Sequence, residues 1–239
     1  MKKIISFFLL CILIPCMMIP ISALDSNSNF IDGDNDLPSP DAIDLSKMDN
    51  NIMILDQFPS SFTISVPVCK QETSYYCGPA TVQQVLKFNN GVSDTTTQAA
   101  IAKAIGTTTS GSTLSPMLPY IREHTTYGFV GYQIYKNPSI EQMRYLIAKT
   151  VYFDYGPPIA RIVFKKTGNW PYSTNGHYLN VSGYDYKNES NLSASNNRVR
   201  LTDPNIQRVN PSSDGSYWVT LSEIHTATAT ANSKEFAAG

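Results

Sequence analysis

Histidine and cysteine are scarce in this chain of 239 residues, which has only three and four of them. CxxC and HExxH patterns and a phosphate-binding loop are all missing, so the sequence indicates neither a metal site nor an organic cofactor. Beyond the first 23 residues there is no long apolar run, so we expect no bilayer-spanning helix in the rest of the chain. The charges nearly cancel at a net −1.

Residues 1–23 have the features of a signal peptide. Lys2 and Lys3 precede an apolar stretch over residues 4–19, and small residues follow it. Prolines interrupt this stretch and no stop-transfer segment comes after it, which favours a cleaved signal over a retained membrane span. We therefore expect a secreted, extracellular protein, without stable membrane insertion once the signal and two of the four cysteines are removed.

Residues 24–61 form an acidic zone with eight aspartates and one lysine. Such a composition buries little apolar surface, so it predicts a disordered linker or a pro-segment. The signal contributes +2 and the acidic zone −7, which leaves +4 for residues 62–239. That charge is too small to indicate a nucleic-acid partner. The length of the remainder suits one domain, and we expect a monomer.

The pattern of apolar residues divides residues 62–239 into a helical half and a strand half. After a first strand over 62–68, helical periodicity dominates up to residue 151, and it includes the capping box of Ser139 and Gln142. The period then changes to that of strands, separated by Gly, Asn, Ser and Pro. The predicted helices cover 77–90, 96–104, 114–121 and 139–151, and the predicted later strands 159–164, 177–184, 199–203 and 217–220.

Cys77 stands at the start of a predicted helix in the segment QETSYYCGPA. A free thiol titrates at about pH 8.5 and is only partly nucleophilic at neutrality. The unpaired amides and the dipole of a helix that begins at Gly78 and Pro79 would favour the thiolate. Two alternatives stay open, a buried structural cysteine and a disulfide with Cys69.

A nucleophilic cysteine needs a base, and His177 is the strongest candidate among the three histidines. His124 and His225 each follow an apolar helical ladder, where a helix-terminal or surface side chain is the ordinary interpretation. His177 begins a strand and shares a face with Leu179 and Val181. Without a partner it would be a simple core histidine.

Asp203 is the partner that a hairpin of the neighbouring strands would bring to His177. In the symmetric register residue 184 faces 198 and residue 179 faces 203, so Asp203 lies diagonally opposite His177 at roughly 7 to 8 Å. A carboxylate on an apolar face is costly unless it is paired. A slip of one residue would separate the two, and a turn before Pro204 is the alternative use of this aspartate.

Gln71 precedes Cys77 by six residues, and its amide can donate to a developing oxyanion beside the backbone N–H of Cys77. Loss of one such donor costs about 2.7 to 4 kcal/mol of transition-state stabilisation. Cys77, His177, Asp203 and Gln71 are therefore the predicted catalytic residues.

These motifs, QETSYYCGPA, GHYLNVSGYD and LTDPN, resemble those of the C39-like branch of the papain-like cysteine peptidases. The resemblance covers residues 67 to 226. It implies that Cys77 is the nucleophile, His177 the general base and then acid, Asp203 the residue that orients the imidazole, and Gln71 a lining of the oxyanion hole. It also implies an α+β papain-like fold, in which a helical half with the cysteine packs against an antiparallel sheet with His177 and Asp203.

The expected activity is that of a free-standing secreted peptidase acting on a peptide or protein substrate. Trimming of double-glycine leaders is not expected, because this chain lacks the exporter domains of family members that do so. Tyr76 and Trp170 are predicted substrate-binding walls, with core packing as the alternative. Two other functions remain open: acyl or peptidyl transfer on the same triad, and a catalytically silent peptide-binding or adhesion module. An inhibitory pro-segment and a Cys69–Cys77 redox latch are further expectations.

Overall fold

The computed structural model describes residues 39–47, 58–126, 131–154, 156–188, 190–210 and 213–239. The predicted signal peptide lies outside the described residues. The fold is α+β, as predicted. The helices are α1 (Cys77–Asn90), α2 (Gln98–Ala104), α3 (Met117–His124), α4 (Ile140–Tyr152), α5 (Ile206–Val209) and α6 (Leu221–Thr230), and a short 3-10 helix spans Leu45–Lys47. The strands are β1 (Ile43–Asp44), β2 (Ser61–Thr63), β3 (Gln133–Lys136), β4 (Ile159–Phe164), β5 (Thr174–Tyr186), β6 (Asn197–Thr202), β7 (Ser216–Thr220) and β8 (Glu235–Ala238).

The helix boundaries follow local signals in the sequence. The predicted capping box begins α4: Ser139 accepts from the backbone of Gln142, and the Gln142 side chain accepts from the backbone of Ser139. Gly91 ends α1 with a φ of 94°, a left-handed conformation that favours glycine. None of the helices in the described ranges is long and apolar enough to cross a membrane.

One sheet runs through the molecule in the order β1-β3-β8-β4-β5-β6-β7, and β2 pairs with β5 beside β4. All pairings are antiparallel except that of β1 with β3. The long strand β5 is central, because β6 pairs along one edge while β4 and β2 share the other. His177, the predicted general base, lies in the first half of β5, opposite Ile162 of β4.

Successive side chains of β5 point to opposite faces of the sheet and pack into two different apolar cores. Leu179 and Val181 belong to the core formed with α4 and α6, whereas Tyr178 belongs to the core formed with α1, α2 and α3. Both faces of β5 are therefore covered, which agrees with its almost continuous burial. The helical half that begins with Cys77 packs directly against the strand that carries His177.

The β5–β6 hairpin has the predicted register at the end near His177 and a different one at the far end. Asn180 faces Thr202, in line with the predicted pairing of 179 with 203. Beyond Val181 the register shifts by one residue, so that Tyr184 faces Val199 instead of residue 198. The cause is a β-bulge, in which one extra residue of β5 stands unpaired between Val181 and Gly183.

Residues 39–47 of the acidic zone pack against the domain in the structure, and the assignment of the zone as a linker or a pro-segment stays a prediction. The strand β1 extends the sheet, the Gln142 side chain donates to the Leu45 carbonyl at 3.2 Å, and Leu45 is buried in the core of α4 and α6. Ser39 is also held, through two hydrogen bonds to Glu235. A few apolar side chains within an acidic composition suffice to attach this segment. Residues 24–38 and 48–57 lie outside the described residues.

Replacement of Leu45 tests whether this segment belongs to the folded domain. Leu45 is 4% exposed, whereas Ile43, which lies two residues earlier in β1, is 36% exposed. Leu45→Ala is expected to lower the free energy of unfolding by about 2–4 kcal/mol because it leaves a cavity, measured by urea denaturation. Ile43→Ala is the matched control and should change the same quantity by less than about 1 kcal/mol. Equal effects of the two substitutions would contradict attachment of the segment through the core.

Candidate active site

Cys77 is the first residue of α1, and its side chain is 5% exposed. The preceding residue, Tyr76, provides no side-chain cap, so the first N–H groups of the helix have no partner from that position. Gly78 lets the start of α1 approach its neighbours closely, since a Cβ there would lie 2.5 Å from the Ser112 hydroxyl and 2.6 Å from the Met117 methyl. The thiol is thus fixed at the positive end of a well-packed helix.

His177 and Asp203 form a buried pair. The Nε2 atom of His177 lies 2.8 Å from Oδ1 of Asp203, and both side chains are fully shielded from solvent. The other ring nitrogen, Nδ1, has no partner within the usual distance and angle limits in the described part of the chain. The Cys77 side chain is near enough to contribute to raising the pKa of the ring. Since Nε2 is bound to Asp203, Nδ1 is the nitrogen available to the sulfur.

The Asp203 carboxylate accepts hydrogen bonds from three further groups. Its Oδ2 atom accepts from the hydroxyls of Tyr172 at 2.7 Å and Tyr217 at 3.0 Å. Its Oδ1 atom also accepts from the backbone N–H of Asn205 at 2.7 Å. Four donors therefore satisfy this buried carboxylate, counting His177, and they hold it in one orientation.

These contacts set the charges of the pair. Burial by itself lowers the pKa of His177, but the Asp203 carboxylate, with a smaller effect of Cys77, raises it well above its ordinary value. Burial likewise raises the pKa of Asp203, whereas His177 and the hydrogen bonds from Tyr172 and Asn205 lower it below its ordinary value. An imidazolium next to a carboxylate is thus the favoured state of the pair near neutral pH.

Gln71 lies in the loop before Cys77, and its side-chain amide is engaged there. Its Nε2 atom donates to the carbonyls of Thr73 at 2.9 Å and of Ser74 at 3.4 Å. The backbone N–H of Gln71 donates to the Pro204 carbonyl at 3.0 Å, which joins this loop to the segment after Asp203. Its role as an oxyanion donor stays a prediction.

Cys69 and Cys77 are both free thiols. The disulfide that the sequence left open is therefore not formed in this structure, nor is the redox latch that depends on it. Burial raises the pKa of the Cys69 thiol to about 11, which keeps it protonated at neutral pH. Cys69 fits the description of an inert packing residue.

The predicted aromatic walls have different surroundings. Tyr76 is partly exposed and lies edge-on to Tyr75 at 5.1 Å. Trp170 is buried and stacks on Phe164 at 4.0 Å, which is the core-packing alternative. Trp170 also lies edge-on to Tyr217 at 6.3 Å, and the Tyr217 hydroxyl donates to Asp203. Contact with substrate stays a prediction for both residues.

His124 is helix-terminal, as the sequence favoured, whereas His225 lies in the middle of α6 and is partly buried. His124 ends α3 and stacks on Tyr120 at 3.9 Å, and its Nδ1 lies 2.8 Å from the Tyr120 carbonyl. The Nε2 atom of His225 lies 3.0 Å from the Pro138 carbonyl.

Sequence reasoning did not identify Tyr172, Tyr217 or the Asn205 N–H as donors to Asp203. The strand that contains Tyr217 was predicted, but its pairing with β6 was not. That pairing places Tyr217 opposite Leu201 and thereby close to Asp203. Asp followed two residues later by Asn is a local turn signal, and it could have indicated the bond from the Asn205 N–H.

A thiol at a helix start near a buried histidine–carboxylate pair is the arrangement that a cysteine nucleophile requires. The model of the Peptidase_C39 like family matches residues 63–223, and the chain belongs to this family. Its coarse class is therefore that of a cysteine peptidase. Among solved structures, the chain is similar to procathepsin B S9 from Trypanosoma congolense, with a TM-score of 0.47 and 10% identity over 87% of this chain and 85% of that chain. No curated protein gives a significant match.

The tyrosine hydroxyls on Asp203 can be tested through the pH dependence of stability. A carboxyl whose pKa is lowered by folding contributes stability above its unfolded value, about pH 3.9, and this contribution is lost as the pH falls through the folded value. Tyr172→Phe and Tyr217→Phe each remove a donor to the charged carboxylate. Each substitution should therefore lower the free energy of unfolding at pH 7 by about 1.5–3 kcal/mol. It should also raise the pH at which stability is lost on acidification, as measured by urea denaturation.

The matched control for these variants is Tyr145→Phe, at a half-buried tyrosine whose ring lies against Phe58. Its stability should follow the wild-type pH profile. Acid profiles of Tyr172→Phe and Tyr217→Phe that coincide with that of the wild type would show that the two hydroxyls do not hold the carboxylate.

Proposed function

We propose that the protein hydrolyses peptide bonds with Cys77 as nucleophile and His177 as general base and acid. The observation that carries the proposal is the fully buried His177–Asp203 pair at 2.8 Å, which leaves Nδ1 as the ring nitrogen available to Cys77. A packing histidine needs no such arrangement, whereas a base for a thiol does. Membership in the Peptidase_C39 like family supports the same chemistry.

Acylation begins when His177 holds the proton of the Cys77 thiol. The sulfur attacks the carbonyl carbon of the scissile peptide bond, and the carbonyl electrons move to the oxygen. When the tetrahedral intermediate collapses, the C–N bond breaks and His177 delivers its proton to the leaving amine. Asp203 keeps the ring oriented and stabilises its positive charge throughout.

The oxyanion of this intermediate needs donors near Cys77. The backbone N–H of Cys77 has no intrahelical acceptor because Cys77 is the first residue of α1. The Gln71 amide is the second donor in this proposal. Its 3.4 Å bond to the Ser74 carbonyl is the weaker of its two bonds and the one it can release.

Deacylation completes the cycle. His177 takes a proton from water, the resulting oxygen nucleophile attacks the thioester carbon, and the C–S bond breaks. The products are a carboxylic acid and the free thiol. An amine in place of water would give peptidyl transfer through the same steps.

Incubation with a diverse peptide library tests the proposal. The parent chain should produce cuts that Cys77→Ala and His177→Ala abolish, as measured by mass spectrometry. Cys69→Ala is the matched control: it removes the other buried thiol and should keep the cuts. An added amine distinguishes transfer from hydrolysis, since transfer products carry that amine. No cuts by the parent, together with no enhanced iodoacetamide reactivity of Cys77 at pH 6 to 7, would contradict catalysis and favour the silent binding module.

The pH dependence of kcat/KM gives an independent test of His177. Its raised pKa keeps the imidazolium present above the ordinary histidine value of about 6.5, so activity should persist above that pH and decline as the pH rises through the raised value. Asp203→Asn removes the main cause of the increase and should move this alkaline decline to lower pH. An alkaline limb that is unchanged in Asp203→Asn would contradict the assignment.

A further inference from the structure

Arg208 of α5 is a half-buried cation that has no part in the reaction steps described above. Its backbone N–H donates to the Asn205 carbonyl at 3.0 Å, and the Asn205 N–H donates to Asp203 at 2.7 Å. The turn after Asp203 therefore brings Arg208 back towards the catalytic pair. Its guanidinium carbon lies over the Tyr172 ring, 4.8 Å from the ring centre, which is within the range of a cation–π interaction.

Tyr172 connects Arg208 to both members of the pair. Its hydroxyl donates to Oδ2 of Asp203 at 2.7 Å. Its ring lies edge-on to the His177 ring, with 6.0 Å between the centroids and 80° between the planes. Because Tyr172 is only 4% exposed, water screens these interactions little. One aromatic side chain thus contacts the arginine, the carboxylate and the imidazole.

The positive charge of Arg208 has two effects on His177, and they have the same sign. A cation over the face of a phenol draws electron density from the ring, which makes the Tyr172 hydroxyl a stronger donor to Asp203. The carboxylate then attracts the imidazolium less. A nearby positive charge also disfavours a protonated histidine directly. Both effects oppose the rise in the pKa of His177 that Asp203 causes.

The other ionisable groups that act on the pair do not provide this opposition. Cys77 of α1 contributes to raising the pKa of His177. Tyr217 of β7 donates to Oδ2 of Asp203, as Tyr172 does, but its hydroxyl carries no positive charge. Arg208 differs from both because its guanidinium stays charged at every pH of interest.

We propose that Arg208 is a positioning residue of the catalytic pair, which acts through Tyr172 to moderate the basicity of His177. An imidazolium that holds its proton too tightly is a poor acid for the leaving amine, so a moderated base serves both halves of the reaction. The significance for catalysis rests on the proposed function, whereas the effect on the ring can be measured without turnover.

The pKa of His177 can be measured by NMR in the full-length Cys77→Ala protein, in which no thiol titrates together with the ring. Arg208→Gln should raise this pKa by about 0.3 to 0.7 pH unit, because one cation–π contact and one nearby charge are lost. Arg208→Lys keeps the charge and should restore most of the original pKa. If Arg208→Gln does not fold, Arg208→Met preserves the apolar stem and should give the same increase.

Arg198→Gln is the matched control. The Arg198 guanidinium also lies over an aromatic ring, 5.1 Å from the centre of Trp218, and it forms an ion pair with Asp185 near the start of β6. Its replacement removes the same charge and the same kind of contact, but it should leave the pKa of His177 unchanged.

Tyr172→Phe tests the route of the effect. This variant keeps a ring beneath Arg208 and removes the hydroxyl that reaches Asp203. In the Tyr172→Phe background, Arg208→Gln should therefore change the pKa of His177 less than it does in the parent, as a double-mutant cycle measures.

Turnover and titration results separate this proposal from the proposed function. With a cleaved peptide, Arg208→Gln should move the alkaline decline of kcat/KM to higher pH, opposite to the shift expected for Asp203→Asn. An unchanged pKa of His177 in the Arg208 variants, an equal increase in Arg198→Gln, or an undiminished effect in the Tyr172→Phe background would overturn the role of Arg208. Absence of cleavage by the wild type would overturn the peptidase proposal, while a raised pKa in Arg208→Gln would still support this role.

Discussion

The buried His177–Asp203 pair is the interaction on which the site depends. Removing two charged groups from water costs several kcal/mol for each ion, and their attraction compensates only when the geometry is good and the remaining hydrogen-bonding capacity is used. Asp203 meets this condition through donors from three other places in the chain, namely Tyr172, Tyr217 and the Asn205 N–H. Strands β5, β6 and β7 must therefore be correctly paired before the pair can exist in its charged form.

The β-bulge in β5 reconciles the two ends of the hairpin. Near His177 the pairing is the one that places its ring and Asp203 together, while the register at the far end differs by one residue. The bulge also returns Tyr184 and Tyr186 to the core that contains Leu179 and Val181. Gly183, next to the bulge, lets β2 approach, since a Cβ there would be 2.8 Å from the Phe62 carbonyl. One unpaired residue thus allows both the site and the core to form.

The helical half is tied to the same strand by a buried polar contact. Asn180, three residues after His177, donates to Oε1 of Gln84 at 2.7 Å and to the Thr81 carbonyl at 3.1 Å. Both acceptors belong to α1, the helix that begins with Cys77. Nucleophile and base are therefore held by two elements that are packed and hydrogen-bonded to each other.

Secretion through residues 1–23 stays a prediction.

The sequence by itself determined the elements and the family, because caps, periodicity and short motifs act over a few residues. The start of α1 at Cys77, the capping box of α4 and the strand of His177 could all be predicted in this way. Only the tertiary structure decided the attachment of residues 39–47, the free state of Cys69 and the tyrosine donors to Asp203. These depend on strand pairing, bulges and packing between residues far apart in the chain, and many pairings are compatible with the same local pattern.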